Sequence, residues 1–255
     1  MKRFVKIYTY WLLGILLFTG CDDYLKEDSG DLLIPGKVEE FLPMLYREGF
    51  PRNFNDEVAW LYLMTDDVEM GQLELDPEDE ANDTRDKNSS DAFNVGEGEE
   101  PYKWEREIKS YADNFWERRY GNILACNLVI DALPEMEYVE ADSGNYNFLA
   151  AQAYALRAYN YWCLVNSYAL PWSKENLDKP GVIIRMEPQI NISPRGRSSI
   201  REVYDLINED IEKAEKYINI ATFDGNIHRL SEPAILSLAS RIALFQENWD
   251  EVIRT

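Results

Sequence analysis

The chain has 255 residues, 45% of them hydrophobic and 13% aromatic, which excludes global disorder and suffices for one large core. Its 47 acidic against 26 basic residues give a formal net charge of −21, which repels nucleic acid and anionic lipid surfaces from the chain as a whole. With three cysteines, no CxxC pair and one histidine, neither thiol redox chemistry nor Cys-ligated zinc has support.

Lys2, Arg3 and Lys6 open the chain, and an apolar run follows over 10–18. The run is shorter than the roughly 20 residues a bilayer span needs and suits a signal-peptide core. Thr19 and Gly20 then precede Cys21, a lipobox in which the thiol takes a diacylglycerol before cleavage; Phe18 stands where Leu is usual. Residues 1–20 are expected to be a removable lipoprotein signal peptide, and Cys21 the lipidated N-terminus. Each buried acyl CH₂ contributes roughly 0.8 kcal/mol, so two or three chains hold a protein firmly on a membrane. Cleavage removes three cations and moves the net charge to about −24.

Residues 21–36 are polar, acidic and end in Pro35-Gly36, a flexible tether. The domain is expected over 37–255. Val38, Phe41, Leu42, Leu45 and Tyr46 recur at helical spacing, and Pro51 is expected to stop that helix. An apolar run at 58–64 precedes a chain reversal, and 74–101 is an acidic surface loop or insertion. Phe115, Tyr120, Ile123, Leu124, Asn127 and Ile130 share one helical face, ended by Pro134. A further helix is predicted over 150–169, apolar nearly all round and so buried between neighbours, with Pro171 ending it. Cys126 and Cys163 lie within these helices and read as buried free thiols.

Residues 171–198, with Pro171, Pro180, Pro188 and Pro194, form a long connection with short β-rich pieces such as 182–184. Ser199-x-x-Glu202 fits a capping box before a stripe of Val203, Tyr204, Ile207, Ile211 and Ala214. Ser231, Glu232 and Pro233 open another helix, with Ala234, Leu238, Ile242 and Phe245 at helical spacing; Trp249 opens one more. The fold class is mainly all-α: a tetratricopeptide-like array of antiparallel helix pairs with long irregular loops and degenerate repeats. An array ending at Thr255 leaves an apolar face without a capping helix, so the sequence is expected to be part of a longer protein.

Three ordered segments carry a resemblance. They are WERRYGNILACN at 116–127, ALRAYNYWCLVNSYALP at 155–171 and RSSIREVYDLINEDIEKA at 197–214. With the lipobox and Asp22, Asp23, Tyr24 and Leu25 after it, the chain resembles the SusD/RagB family of outer-membrane nutrient-uptake lipoproteins. Ala169 departs from the family's usual Gly. The resemblance implies a lipid-anchored protein facing the cell exterior, in Bacteroidetes, that binds oligosaccharides. It implies delivery to a SusC-like TonB-dependent transporter, with the protein acting as a lid and doing no covalent chemistry. Peptide binding in the RagB manner is the alternative ligand class. A helical-repeat scaffold that docks proteins without a small ligand is the alternative from another class.

The residue inventory agrees with a binding role. His228 sits in a turn leading into a helix, with no ligand set near it in sequence. No glycine-rich phosphate loop is present. No catalytic residue, resident metal or cofactor is expected. Sugars call for aromatic faces beside amide or carboxylate acceptors. Tyr102 and Trp104 flank the acidic loop, with Asp66 and Asp67 before it, and Trp104 with Asp67 is the preferred pair; Asn114 is a further hydroxyl partner. Trp60 and Tyr62 read as core. The acidic run at 76–100 reads as a solvated face, since its spacing does not follow the EF-hand loop; calcium binding there is the alternative. Arg157 and the aromatic stripe at 154–162 read as internal packing.

Overall fold

The computed structural model describes residues 37–51, 64, 102–105, 115–136, 142–189, 193–223 and 225–255. All belong to one compact unit, Gly36–Thr255. Among the described residues there are six α-helices and no strand. They are α1 (Val38–Glu48), α2 (Phe115–Ala132), α3 (Ser143–Tyr168), α4 (Ile200–Ile218), α5 (Glu232–Phe245) and α6 (Trp249–Arg254).

The central helix is α3, which packs on α2 and α4. Both pairs run antiparallel, as the cross-links show. Along α2 and α3, Arg119 meets Asn160, Asn127 meets Arg157, and Leu133 meets Tyr146. Along α3 and α4, Asn166 meets Tyr204, Arg157 meets Asp210, and Gly144 meets Thr222. One index falls as the other rises.

The core follows from composition. Ala150, Ala151, Ala153, Ala155 and Ala158 on α3 are fully buried and let neighbouring backbones approach. Ile123, Leu164, Val203, Ile207 and Ile242 fill one cluster, and Phe41, Leu45, Val129 and Leu149 another. The capping box forms as expected: Ser199 Oγ accepts from Glu202 N at 3.2 Å, and Ser199 N donates to the Glu202 carboxylate at 2.7 Å. The expected α4 stripe is buried throughout.

Four details differ from the sequence reading. α1 ends at Glu48, before Pro51, because Gly49 N caps Leu45 O at 2.7 Å. A Cβ at Gly49 would stand 2.6 Å from the Leu45 side chain, so only glycine fits this close return. α3 begins at Ser143, seven residues before the predicted start. There Gly144 lies against Thr222, where a Cβ would come within 2.0 Å of the hydroxyl. On α5 the buried residues are Ile235, Ala239, Ile242 and Ala243, while Phe245 is exposed. The helix is apolar on adjacent faces, so periodicity alone did not choose between them. Finally, 182–184 forms no strand: among the described residues the connection carries an isolated antiparallel bridge between Pro180 and Ser199. No helix among the described residues is long and apolar enough to cross a membrane.

Candidate functional site

Two polar constructions organise the helical frame. The first joins three helices. Arg157 donates from Nε and Nη2 to the two carboxylate oxygens of Asp210 at 2.7 and 2.8 Å, and from Nη1 to Asn127 Oδ1 at 2.9 Å. Arg157 and Asp210 are buried to 2% and 0% exposure. Burial pushes the Asp210 carboxyl up, while the Arg157 guanidinium pulls it back toward the ionised form. The bidentate geometry and the Asn127 bond satisfy the pair.

The second construction pins the connection after α3. Residues 181–187 lie extended across α2 and α3 and are held by side chains from both. Tyr120 Oη donates to Ile183 O at 2.6 Å. Asn127 Nδ2 donates to Arg185 O at 3.0 Å and Glu187 O at 3.2 Å. Tyr161 Oη donates to Arg185 O at 2.7 Å and accepts from Arg185 N at 2.8 Å, pairing as a peptide group would. Burial lifts the Tyr120 hydroxyl to about 12, and pushes that of Tyr161 well above the usual tyrosine range. One amide, Asn127, therefore serves both constructions: its oxygen faces Arg157 and its nitrogen faces the strap.

The predicted ligand residues stand as follows. Trp104 is 67% exposed and its backbone is left-handed, with φ of 54°. That conformation is uncommon for a bulky residue and costs of order 1 kcal/mol or more. Tyr102 is half-buried in the same turn. Asp66, Asp67 and Asn114 lie outside the described residues, as do Cys21, Trp60, Tyr62 and the acidic run at 76–100. Arg157 is internal, as read from the sequence. His228 is exposed, and its backbone N–H donates to Asn226 Oδ1 at 2.9 Å.

Cys126 and Cys163 are thiols outside any disulfide, the first buried and the second half-buried. Burial pushes the Cys126 thiol far above its usual range, which disfavours the nucleophilic thiolate. Among the described residues no group of three His, Cys, Asp or Glu is arranged to hold a metal. The strap-pinning roles of Tyr120, Asn127 and Tyr161 were not read from the sequence. The available signal was polar groups on otherwise apolar helix faces, which must find partners when buried.

The described residues thus form an array of helix pairs with a pinned strap and an exposed tryptophan in a left-handed turn. The family comparison makes the class specific. A SusD-like family model, described as "Starch-binding associating with outer membrane", matches residues 50–244, and the chain belongs to this SusD-like family.

The chain is 28% identical over 138 residues to a SusD-like protein of Formosa agariphila, covering 53% of this chain and 24% of that protein. Its fold matches a SusD superfamily protein of Bacteroides fragilis with a TM-score of 0.60 at 20% identity, over 85% of this chain and 47% of that one. It also matches a laminarin-binding SusD-like protein with a TM-score of 0.56 at 19% identity, over 84% and 41% of the two chains. At these identities the solved structures establish the shared fold. The chain spans about a quarter of the Formosa relative and less than half of each solved structure.

Proposed function

We propose that this chain is a cell-surface lipoprotein that binds oligosaccharides and passes them to a SusC-like TonB-dependent outer-membrane transporter, over which it acts as a lid. It performs no covalent chemistry in this reading. The match of residues 50–244 to a family described as starch-binding and outer-membrane-associated carries the proposal. A fold shared with a laminarin-binding protein supports the ligand class. Cys21 supplies the lipid anchor, and the acidic residues after it direct the protein to the outer face.

Trp104 is the proposed ligand platform. Its exposed ring offers an apolar face to sugar C–H groups, and the carboxylates of Asp66 and Asp67, with Tyr102 and Asn114, supply hydroxyl partners. Calorimetry of the full chain against neutral oligosaccharides, preceded by a glycan array, tests the ligand. Binding that weakens on Trp104→Ala is expected. Tight peptide binding without any oligosaccharide binding would overturn the ligand class. Co-purification from membranes tests the partner: capture of a barrel transporter is expected, and recovery of only soluble proteins would overturn it.

A further inference from the structure

The chain as a whole is strongly acidic, but the connection before α4 is not. Residues 171–201 hold Lys174, Lys179, Arg185, Arg195, Arg197 and Arg201 against only Glu175, Asp178 and Glu187, a local excess of three positive charges in a chain of −21. Counted through Glu202, whose carboxylate bonds Ser199 at its end, the connection still holds an excess of two positive charges. The backbone brings the two arms of this connection together. Gly181 N donates to Ser198 O at 2.7 Å, Ile200 N to Lys179 O at 3.0 Å and Arg201 N to Leu177 O at 2.9 Å. The exposed cations Lys174, Lys179, Arg195, Arg197 and Arg201 are thereby gathered from both arms.

Internal pairing accounts for only part of this charge. Arg195 pairs with Glu187 and Arg201 with Asp178, and Arg197 Nη1 ties the Tyr168 and Gly181 carbonyls. Among the described residues Lys174 and Lys179 form no ion pair. Arg201 lies in the first turn of α4, where the helix dipole favours anions, so helix stability does not explain it. A second feature lies on the same connection. Leu170 at its start is 52% exposed, and Met186 within the strap is 42% exposed. Exposed cations interleaved with large apolar side chains fit a headgroup layer, where ammonium and guanidinium groups meet phosphate and the apolar chains dip beneath it.

We propose that the surface formed by 170–187 and 195–201 is a membrane-contact face for phosphate-bearing anionic lipid headgroups. The acidic remainder is repelled by such a surface, so this face orients a tethered body on the bilayer. The proposal rests on the outer-membrane association of the family and is independent of the glycan ligand.

The test uses the full chain with Cys21→Ser, so that no lipid is attached. Vesicles of phosphatidylcholine alone are compared with vesicles containing about one-third phosphatidylglycerol. Because Lys2, Arg3 and Lys6 also favour anionic vesicles, the charge-reversal variants, which keep the N-terminal segment unchanged, report what that segment contributes on each vesicle type. Partition onto anionic vesicles is expected to be about tenfold higher than onto neutral ones, and to fall as salt shortens the screening length. Lys174→Glu/Lys179→Glu/Arg201→Glu is expected to abolish most of that preference with an unchanged circular dichroism spectrum. Should the triple variant misfold, Lys174→Glu/Lys179→Glu breaks no ion pair among the described residues and carries the same test. Equal partition of wild type and variant onto anionic vesicles would overturn the proposal. So would release by inorganic phosphate at matched ionic strength, which would mark a free-phosphate site. Retention by a soluble anionic polysaccharide as strong as by vesicles, unaffected by Leu170→Ser/Met186→Ser, would replace the lipid with a polymer and overturn it too.

Discussion

The α2–α3–α4 bundle and the strap that crosses it are held together in opposite ways. The helices satisfy their own backbone and meet through apolar side chains, with one buried ion pair between α3 and α4. The strap pairs its backbone with Ser198 only at Gly181 and Val182, and beyond them side chains of α2 and α3 hold it at Ile183, Arg185 and Glu187. A helix is specified mostly by its own residues, whereas an extended strap of this kind is specified by donors up to 63 positions away. The two regions should therefore respond differently to substitution, the first globally and the second locally.

The largest effect is expected at the ion pair. Asp210→Ala leaves the Arg157 guanidinium buried without its carboxylate, and should cost about 3–5 kcal/mol by urea denaturation. Replacing both partners with apolar residues, as in Arg157→Met/Asp210→Leu, should recover most of that loss. Equal losses in the single and double variants would mean that the pair itself, and not the orphaned charge, stabilises the bundle.

Tyr161→Phe removes two hydrogen bonds from the strap and should cost about 1–3 kcal/mol. Its signature should be local: faster amide exchange over 183–187 with the amides of α3 unchanged. The same hydroxyls should make the fold sensitive to alkali. Tyr120 holds its proton to about pH 12 when folded, against about 10 when unfolded. The native state then binds the extra proton between those values, so its stabilisation is complete below about pH 10 and is lost as pH rises toward 12. A tyrosinate titration followed by ultraviolet absorbance, alongside unfolding midpoints, checks the direction.

Ser199→Ala should cost about 1 kcal/mol by removing the α4 cap where the connection ends. The smallest stability effect belongs to Trp104→Ala, within about 0.5 kcal/mol, because the ring is exposed. The proposed role nonetheless predicts about a tenfold loss of oligosaccharide affinity there, as stacking on an aromatic face is forfeited. Loss of stability without loss of affinity would move Trp104 from the ligand site to the frame.

Much of the frame was legible in the sequence because its signals are local. The α1 and α4 stripes repeat at helical spacing, Ser199 and Glu202 form the predicted capping box, and Trp249 opens α6. Of the predicted α2 face Phe115, Ile123 and Asn127 are buried, while Arg119, Ala125, Cys126 and Val129 are buried beside them. The candidate site was legible only as residue chemistry. An aromatic among polar neighbours singled out Trp104, but its exposure and left-handed backbone are properties of the folded turn.

Tertiary structure alone decided the rest. The first turns of α3, Ser143 to Leu149, precede the predicted start at 150, and are helical in a fold where Gly144 accepts a hydrogen bond from Thr222 and Phe148 and Leu149 are buried. Two adjacent apolar faces left the orientation of α5 to its neighbours, which buried Ile235 and Ala239 and left Phe245 exposed. Arg157 could be recognised as internal, but nothing near it in sequence announced Asp210, 53 positions on, as its partner. Local periodicity and capping act within a few residues and survive in a one-dimensional reading. Burying a charge or a bare strand of backbone demands a partner from wherever the chain happens to return, and only the fold supplies that address.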